Sequence, residues 1–171
     1  MEILNSFAKE LEKETVTTRK MLSIIPDDKY DWQPHPKSMT IRQLATHIAD
    51  IGTWFELVLE HDELDLGSDS HQEPEINNTT QLLAYFEESF AKGKKALEYA
   101  RLEQLDEFWT MRNGDQVFFT DFKGDVIRAS FCQITHHRAQ LGVYLRLLDI
   151  PIPGSYGPSA DELERYAAAE A

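Results

Sequence analysis

The chain has 171 residues, a single cysteine, 42% apolar and 27% charged residues, and a net charge of −13 from 30 acidic and 17 basic side chains. Length and apolar share suffice for a single domain spanning residues 1–171, with a core that needs no disulfide. The acidic balance excludes the clustered Lys and Arg that hold nucleic-acid phosphates or an anionic membrane surface. Lone Cys132, an acidic N-terminal stretch, and no apolar run near the ~20 residues of a membrane span together predict a cytoplasmic protein.

Apolar residues recur at three- and four-residue steps from Ile3 through Phe7 and Leu11 to Ile25, which predicts a first amphipathic helix ended by Pro26. The β-branched run Thr15–Thr18 weakens its middle. Pro34 and Pro36 bracket His35 in a loop that Trp32 pins to the body. Thr40 then offers an N-cap with Gln43 completing a capping box, and Ile41, Leu44, Ile48, Ile51, Phe55 and Val58 form one stripe to about Leu59. His47 falls on that stripe between Ile51 and Trp54, so its ring needs a partner.

From His61 to Thr79 the composition turns to Asp, Glu, Ser, Gly and Pro, a segment too long for a tight helix hairpin and suited to crossing the outside of a bundle. His35, His61 and His71 read as solvent-exposed. Thr79 or Thr80 caps a third helix through Leu82, Phe86, Phe90 and Leu97, with Gly93 weakening its middle slightly. Between Phe108 and Asp121 the period shifts, and Asn113-Gly114 signals a type I′ turn in a small two-stranded hairpin. A fourth helix runs from about Gly124 to Leu148 and is closed by Pro151 and Pro153. The tail from about residue 152 packs on the bundle and holds a turn and a short acidic helix capped by Ser159. The fold class is therefore all-α: a four-helix bundle with a long crossover between the second and third helices and a β-hairpin between the third and fourth.

With Ile127 as reference and ~100° per residue, Gln133, Ile134, His137, Leu141 and Tyr144 share the inward half of the fourth helix, His137 near its centre and Gln133 almost beside it. His136 stands at the edge beside Gln140, and Cys132 turns outward, which disfavours a thiol nucleophile. His47 and His137 can face each other if the second and fourth helices are neighbours. Each is then either a metal ligand or a core histidine satisfied by a local hydrogen bond. Phosphate-loop, Cys-x-x-Cys, His-Glu-x-x-His and Gly-x-Ser-x-Gly patterns are absent.

The string from Trp32-Gln-Pro-His-Pro to Ala45-Thr-His47-Ile resembles the loop and second helix of DinB-like (DinB/YfiT) proteins. The string His136-His-Arg-Ala-Gln-Leu-Gly-Val-Tyr is similar to their fourth-helix signature, and Tyr156-Gly-Pro-Ser-Ala-Asp-Glu162 to the tail of one branch. The resemblance implies a bundle that is often a homodimer and a divalent metal, zinc or nickel, held by three histidines. Carried over by position, His47 and His137 are ligands, and Gln133 occupies the place of the third. Gln133 is a weaker donor than imidazole, so Gln133, His136 or water completes the set. The implied activities are a metal-dependent thiol S-transferase or hydrolase acting on a small molecule, with Trp32, Trp54 and Tyr144 as candidates for the pocket wall. The alternative is a metal-free dimeric binding or structural bundle in which Gln133 replaces a lost ligand.

Overall fold

The computed structural model describes residues 2–68 and 74–169. Among these, five α-helices carry the fold: α1 (Glu2–Leu22), α2 (Ile41–Glu60), α3 (Thr79–Tyr99), α4 (Lys123–Leu147) and α5 (Ala160–Ala169). A small sheet combines β1 (Glu63–Asp65), β2 (Phe108–Asn113) and β3 (Gln116–Phe122) in the order β1-β2-β3. The expected four-helix bundle with a hairpin before α4 is present. Both α1 and α2 pack against α3 and α4, which puts α1 and α2 at opposite corners. The core between them holds Leu11, Leu22, Leu44, Ile48, Phe55, Phe86, Phe131 and Leu141, each at most 2% exposed.

The helix ends follow from their capping residues. Thr40 Oγ1 accepts the Gln43 amide at 3.2 Å and Gln43 Oε1 accepts the Thr40 amide at 2.9 Å, the reciprocal box read from the sequence. At α3 the cap is Asn78, not Thr79 or Thr80: its side chain accepts the Gln81 amide at 2.9 Å. Thr79 is drawn instead into tertiary contacts, its hydroxyl donating to the Ile25 carbonyl at 2.6 Å and its amide to Asp27 Oδ1 at 2.8 Å. The β-branched run of α1 does not interrupt it; Thr15 Oγ1 returns a bond to the Leu11 carbonyl at 2.6 Å. Ser159 caps α5 as expected, with Glu162 completing the box at 3.1 Å in each direction.

The expected two-stranded hairpin is three-stranded. Its third member, β1, lies in the segment read as irregular and pairs parallel to β2 from Glu63↔Thr110 to Asp65↔Arg112. Arg112 fixes this edge with Glu63 at 2.6 Å and Asp65 at 2.5 Å. Asn113 and Gln116 are a strand pair, so Gly114 and Asp115 make the turn, with positive φ at Gly114 (56°) and not at Asp115. That belongs to the type II′ pattern rather than the expected type I′.

Gly93 does more than weaken α3. A methyl group there would lie 2.3 Å from the Gly52 carbonyl oxygen, and one at Gly52 would lie 2.5 Å from Ser89 Oγ. Two glycines thus let α2 and α3 cross in close contact, which brings the α2 stripe bearing His47 into the bundle.

The largest departure on α4 is Arg138. The buried positions include Ile127, Phe131, Ile134, Arg138, Leu141 and Leu145, so the stripe is centred roughly 80° from His137. The expectation that His137 sits at its centre is corrected: His137 is half-buried on the shoulder and Arg138, 1% exposed, takes the interior. Its guanidinium pairs with buried Glu14 of α1 and bonds Thr18 Oγ1 and Ser155 Oγ at 3.0 Å each. Tyr156 donates to Glu14 at 2.9 Å and lies under the guanidinium at 5.3 Å. Arg146 with Asp161 adds a second tie between α4 and the tail.

Candidate functional site

His47 comes from the middle of α2 and His137 from the middle of α4, and the packing of these two helices brings the rings together. Their centroids are 4.7 Å apart and nearly perpendicular, at 81°. Both side chains are half-buried. Trp54, two turns along α2, stands edge-on to His47 at 5.8 Å, and Trp32 meets Tyr144 edge-on at 5.7 Å.

Gln133 is half-buried one turn before His137 on the same helix. His136 is exposed, with its ring 4.8 Å from that of His137. His35 and His61 are exposed, as is Cys132, while His71 lies outside the described residues.

The electrostatics bias both rings toward the neutral form. Burial pushes the His47 imidazole below its ordinary value against an opposing pull from Asp50. Burial does the same at His137, where the bond to Gln140 opposes the shift and His47 and His136 add to it. His137 Nδ1 lies 2.8 Å from Gln140 Oε1. An amide oxygen accepts, so Nδ1 carries the proton and Nε2 keeps its lone pair. That is the orienting arrangement used for metal-binding histidines, in which one ring nitrogen is anchored and the other left to bind.

Two residues beside the rings escaped the sequence reading. Asp50 is 2% exposed on the inner face of α2, one turn past His47. It accepts Tyr85 OH from α3 and Trp54 Nε1 at 3.2 Å, while Thr53 Oγ1 donates to its carbonyl at 2.8 Å. An acid inside an apolar stripe, three residues from a histidine on the same face, was the available signal. Gln140 stands beside His136 by helical spacing, yet its side chain bonds His137 three residues before it.

The donor set can be weighed against the metal implied by resemblance. Among the described residues, no three His, Cys, Asp or Glu side chains converge on one point. Two imidazoles from facing helices do approach each other, and the Gln133 carboxamide is half-buried one turn before His137 on α4. By donor chemistry, two imidazoles and a carboxamide oxygen would make a weaker ligand set than three imidazoles.

Comparison with known proteins agrees with the fold. The model of the DinB family matches residues 1–170. The uncharacterized protein YrdA of Bacillus subtilis is 22% identical over 164 residues, covering 95% of this chain and 93% of its own. YfiT from Bacillus subtilis, described as a probable metal-dependent hydrolase with an unusual four-helix bundle topology, superposes with a TM-score of 0.65 at 15% identity. The match covers 88% of this chain and 90% of YfiT. The mycothiol-dependent maleylpyruvate isomerase superposes with a TM-score of 0.58 at 13% identity over 81% of this chain and 60% of its own. At such identities the two structures speak for the fold.

Proposed function

This chain belongs to the DinB family, and we propose that within it the protein binds a divalent metal and acts on a small molecule as a hydrolase or thiol S-transferase. The observation that carries the reading is the pairing of His47 with His137, two imidazoles 4.7 Å apart on facing helices. Both are biased toward the neutral form that metal binding requires. The description of YfiT as a probable metal-dependent hydrolase and the thiol dependence of the isomerase are consistent with it.

In this reading His47 and His137 are the principal ligands of zinc or nickel and Gln133 the weak third, with His136 at the rim. An ion held there would supply the positive charge that favours the anion of a water or thiol at neutral pH. The chain's own residues orient and enclose. Gln140 holds the His137 ring by Nδ1, Asp50 ties Trp54 beside His47 to Tyr85 of α3, and Trp32 with Tyr144 forms an aromatic wall.

One observation favours a second reading, a metal-free bundle in which the two histidines are packing residues: the described residues offer no third imidazole or carboxylate. Gln133→His separates the two. A competent but detuned site predicts that the variant keeps the helical circular dichroism of the wild type and binds zinc at least ten-fold more tightly, about 1.4 kcal/mol. A variant that folds and still binds no metal overturns the metal reading.

A further inference from the structure

The tail and α4 enclose a cleft on the side of α4 that turns away from the histidine pair. Its volume is about 650 Å³, inside the ~300–1,000 Å³ range of small-molecule sites. Ala139, Val143 and Leu147 of α4, Met21 of α1, and Ile152 and Pro153 of the tail supply its apolar lining. At ~100° per residue, Ala139 and Gly142 lie roughly 140–200° round α4 from His137, so the cleft and the histidine pair are separate. The tail wall is fixed in place. A methyl group at Gly154 would lie 2.1 Å from the Gly157 carbonyl oxygen, so the chain turns back tightly there. The Ile152 amide donates to Asp161 Oδ2 at 3.0 Å, and Arg146 pairs with the same carboxylate.

Two features of this cleft point to a ligand. The first is Gly142, buried in α4 among the lining residues. Glycine weakens a helix, and packing does not require it here. A Cβ would meet Met21 Cε at 3.5 Å and Ile152 Cδ1 at 3.7 Å, ordinary contacts with the cleft lining. The glycine therefore leaves open a space that a methyl group would fill. The second is a buried donor. Arg138 lines the cleft with a side chain only 2% exposed, and its Nη2 has no acceptor among the described residues. Nε and Nη2 share one edge of a guanidinium, as Arg19 and Arg112 show by presenting both to a single carboxylate. On Arg138 that edge holds Ser155, a cleft residue, on Nε at 3.0 Å, so Nη2 is turned to the same side. A buried charged donor without an acceptor is costly.

We propose that this cleft binds an uncharged, largely hydrocarbon small molecule with a ketone, ester or amide carbonyl, whose oxygen accepts from Arg138 Nη2. The charge balance selects that class. Both arginines of the cleft are already paired, Arg138 with Glu14 and Arg146 with Asp161, so neither offers a spare charge to a carboxylate or phosphate. A free acid would also bring a second negative charge beside buried Glu14. Ser155 Oγ accepts from Nε, which leaves its own proton to donate to the same carbonyl oxygen. Ser155 and Tyr156 lie over the guanidinium and are both exposed, so a small shift of these side chains admits the oxygen. The apolar body then covers Val143 and Leu147, which are 58% and 60% exposed.

Fluorescence titration with prodan, a neutral dimethylaminonaphthalene carrying one propionyl ketone, tests it. The full chain is used after stripping with chelator, because neither histidine nor metal takes part. The expected result is one saturable site per chain, with emission shifted to shorter wavelength. Val143→Glu puts a charge on the apolar wall at an exposed position, so the variant keeps the wild-type helical circular dichroism and binds at least ten-fold more weakly. Phe118→Glu, at an exposed apolar position on β3, binds as the wild type does. Dimethylaminonaphthalene without the ketone binds roughly ten-fold more weakly, the loss of one hydrogen bond to a charged donor. Absence of saturable binding overturns the proposal, as do equal affinities for the two naphthalenes or a folded Val143→Glu that binds as tightly as the wild type. Dodecanoate displacing prodan better than its methyl ester does overturns the uncharged class. Affinity that falls as protein concentration rises also overturns it, because a second chain then fills the cleft.

Discussion

Removing the Glu14 carboxylate tests the buried link between α1, α4 and the tail. The Arg138 and Glu14 side chains are 2% and 8% exposed, so the pair is almost wholly out of water. Glu14→Ala leaves Arg138 with only the neutral oxygens of Thr18 and Ser155 at 3.0 Å, and Tyr156 without its acceptor. Breaking one side of such a pair costs about 3–5 kcal/mol, a large part of the ~5–15 kcal/mol that a domain possesses. For a chain of this size the loss corresponds to a fall of roughly 6–20 °C in the thermal midpoint. Release of Tyr156 also predicts faster proteolytic cleavage between α4 and α5. The control is Glu87→Ala, which breaks an ion pair to Arg19 whose partners are 50% and 41% exposed and is expected to cost no more than about 1 kcal/mol. Urea denaturation of the three proteins gives the comparison. A Glu14→Ala loss equal to that of Glu87→Ala refutes the reasoning, because the guanidinium would then be finding water that the packing denies it.

Two further outcomes follow from the same packing. Gly93→Ala gains about 1 kcal/mol in helix propensity but sets a methyl 2.3 Å from the Gly52 carbonyl; overpacking of about 1–3 kcal/mol or more wins, and urea denaturation will show net destabilisation. His47 and His137 are held below the ordinary imidazole value of 6.5 when folded, so just below that pH the unfolded chain binds more protons than the folded one. Stability is therefore unaffected by these rings above about pH 7 and declines as pH falls below 6.5, by at most ~1.4 kcal/mol per unit for each ring until the folded rings protonate. Denaturation between pH 7 and 5.5, with His47→Gln/His137→Gln as the flat control, measures it.

What the sequence displayed was what local spacing encodes. The Thr40–Gln43 box, the apolar stripes and the hairpin around Gly114 depend on residues a few positions apart, and each appears in the structure. The facing of His47 and His137 was also within reach, since both lie on helical stripes and only the neighbouring of α2 and α4 had to be supplied. What escaped depends on distant partners. Arg138 belongs on the surface by residue type, and its reason to be buried, Glu14, lies 124 residues away. β1 is three residues long, too short for a period to register, and its partner strand follows α3. Thr79 resembled a cap as well as Asn78 did; its contacts to Ile25 and Asp27 decide between them, and they are tertiary.

The metal reading rests on the ability of His47 and His137 together to hold a divalent ion. Isothermal titration of zinc, nickel and manganese into chelator-stripped protein, beside His47→Ala, tests it most directly. One ion per chain is expected, bound more tightly than about 1 mM, equivalent to −4.1 kcal/mol, with binding lost in the His47→Ala variant. Titrations that show no binding tighter than that for any of the three metals, or equal binding in the variant, would contradict it.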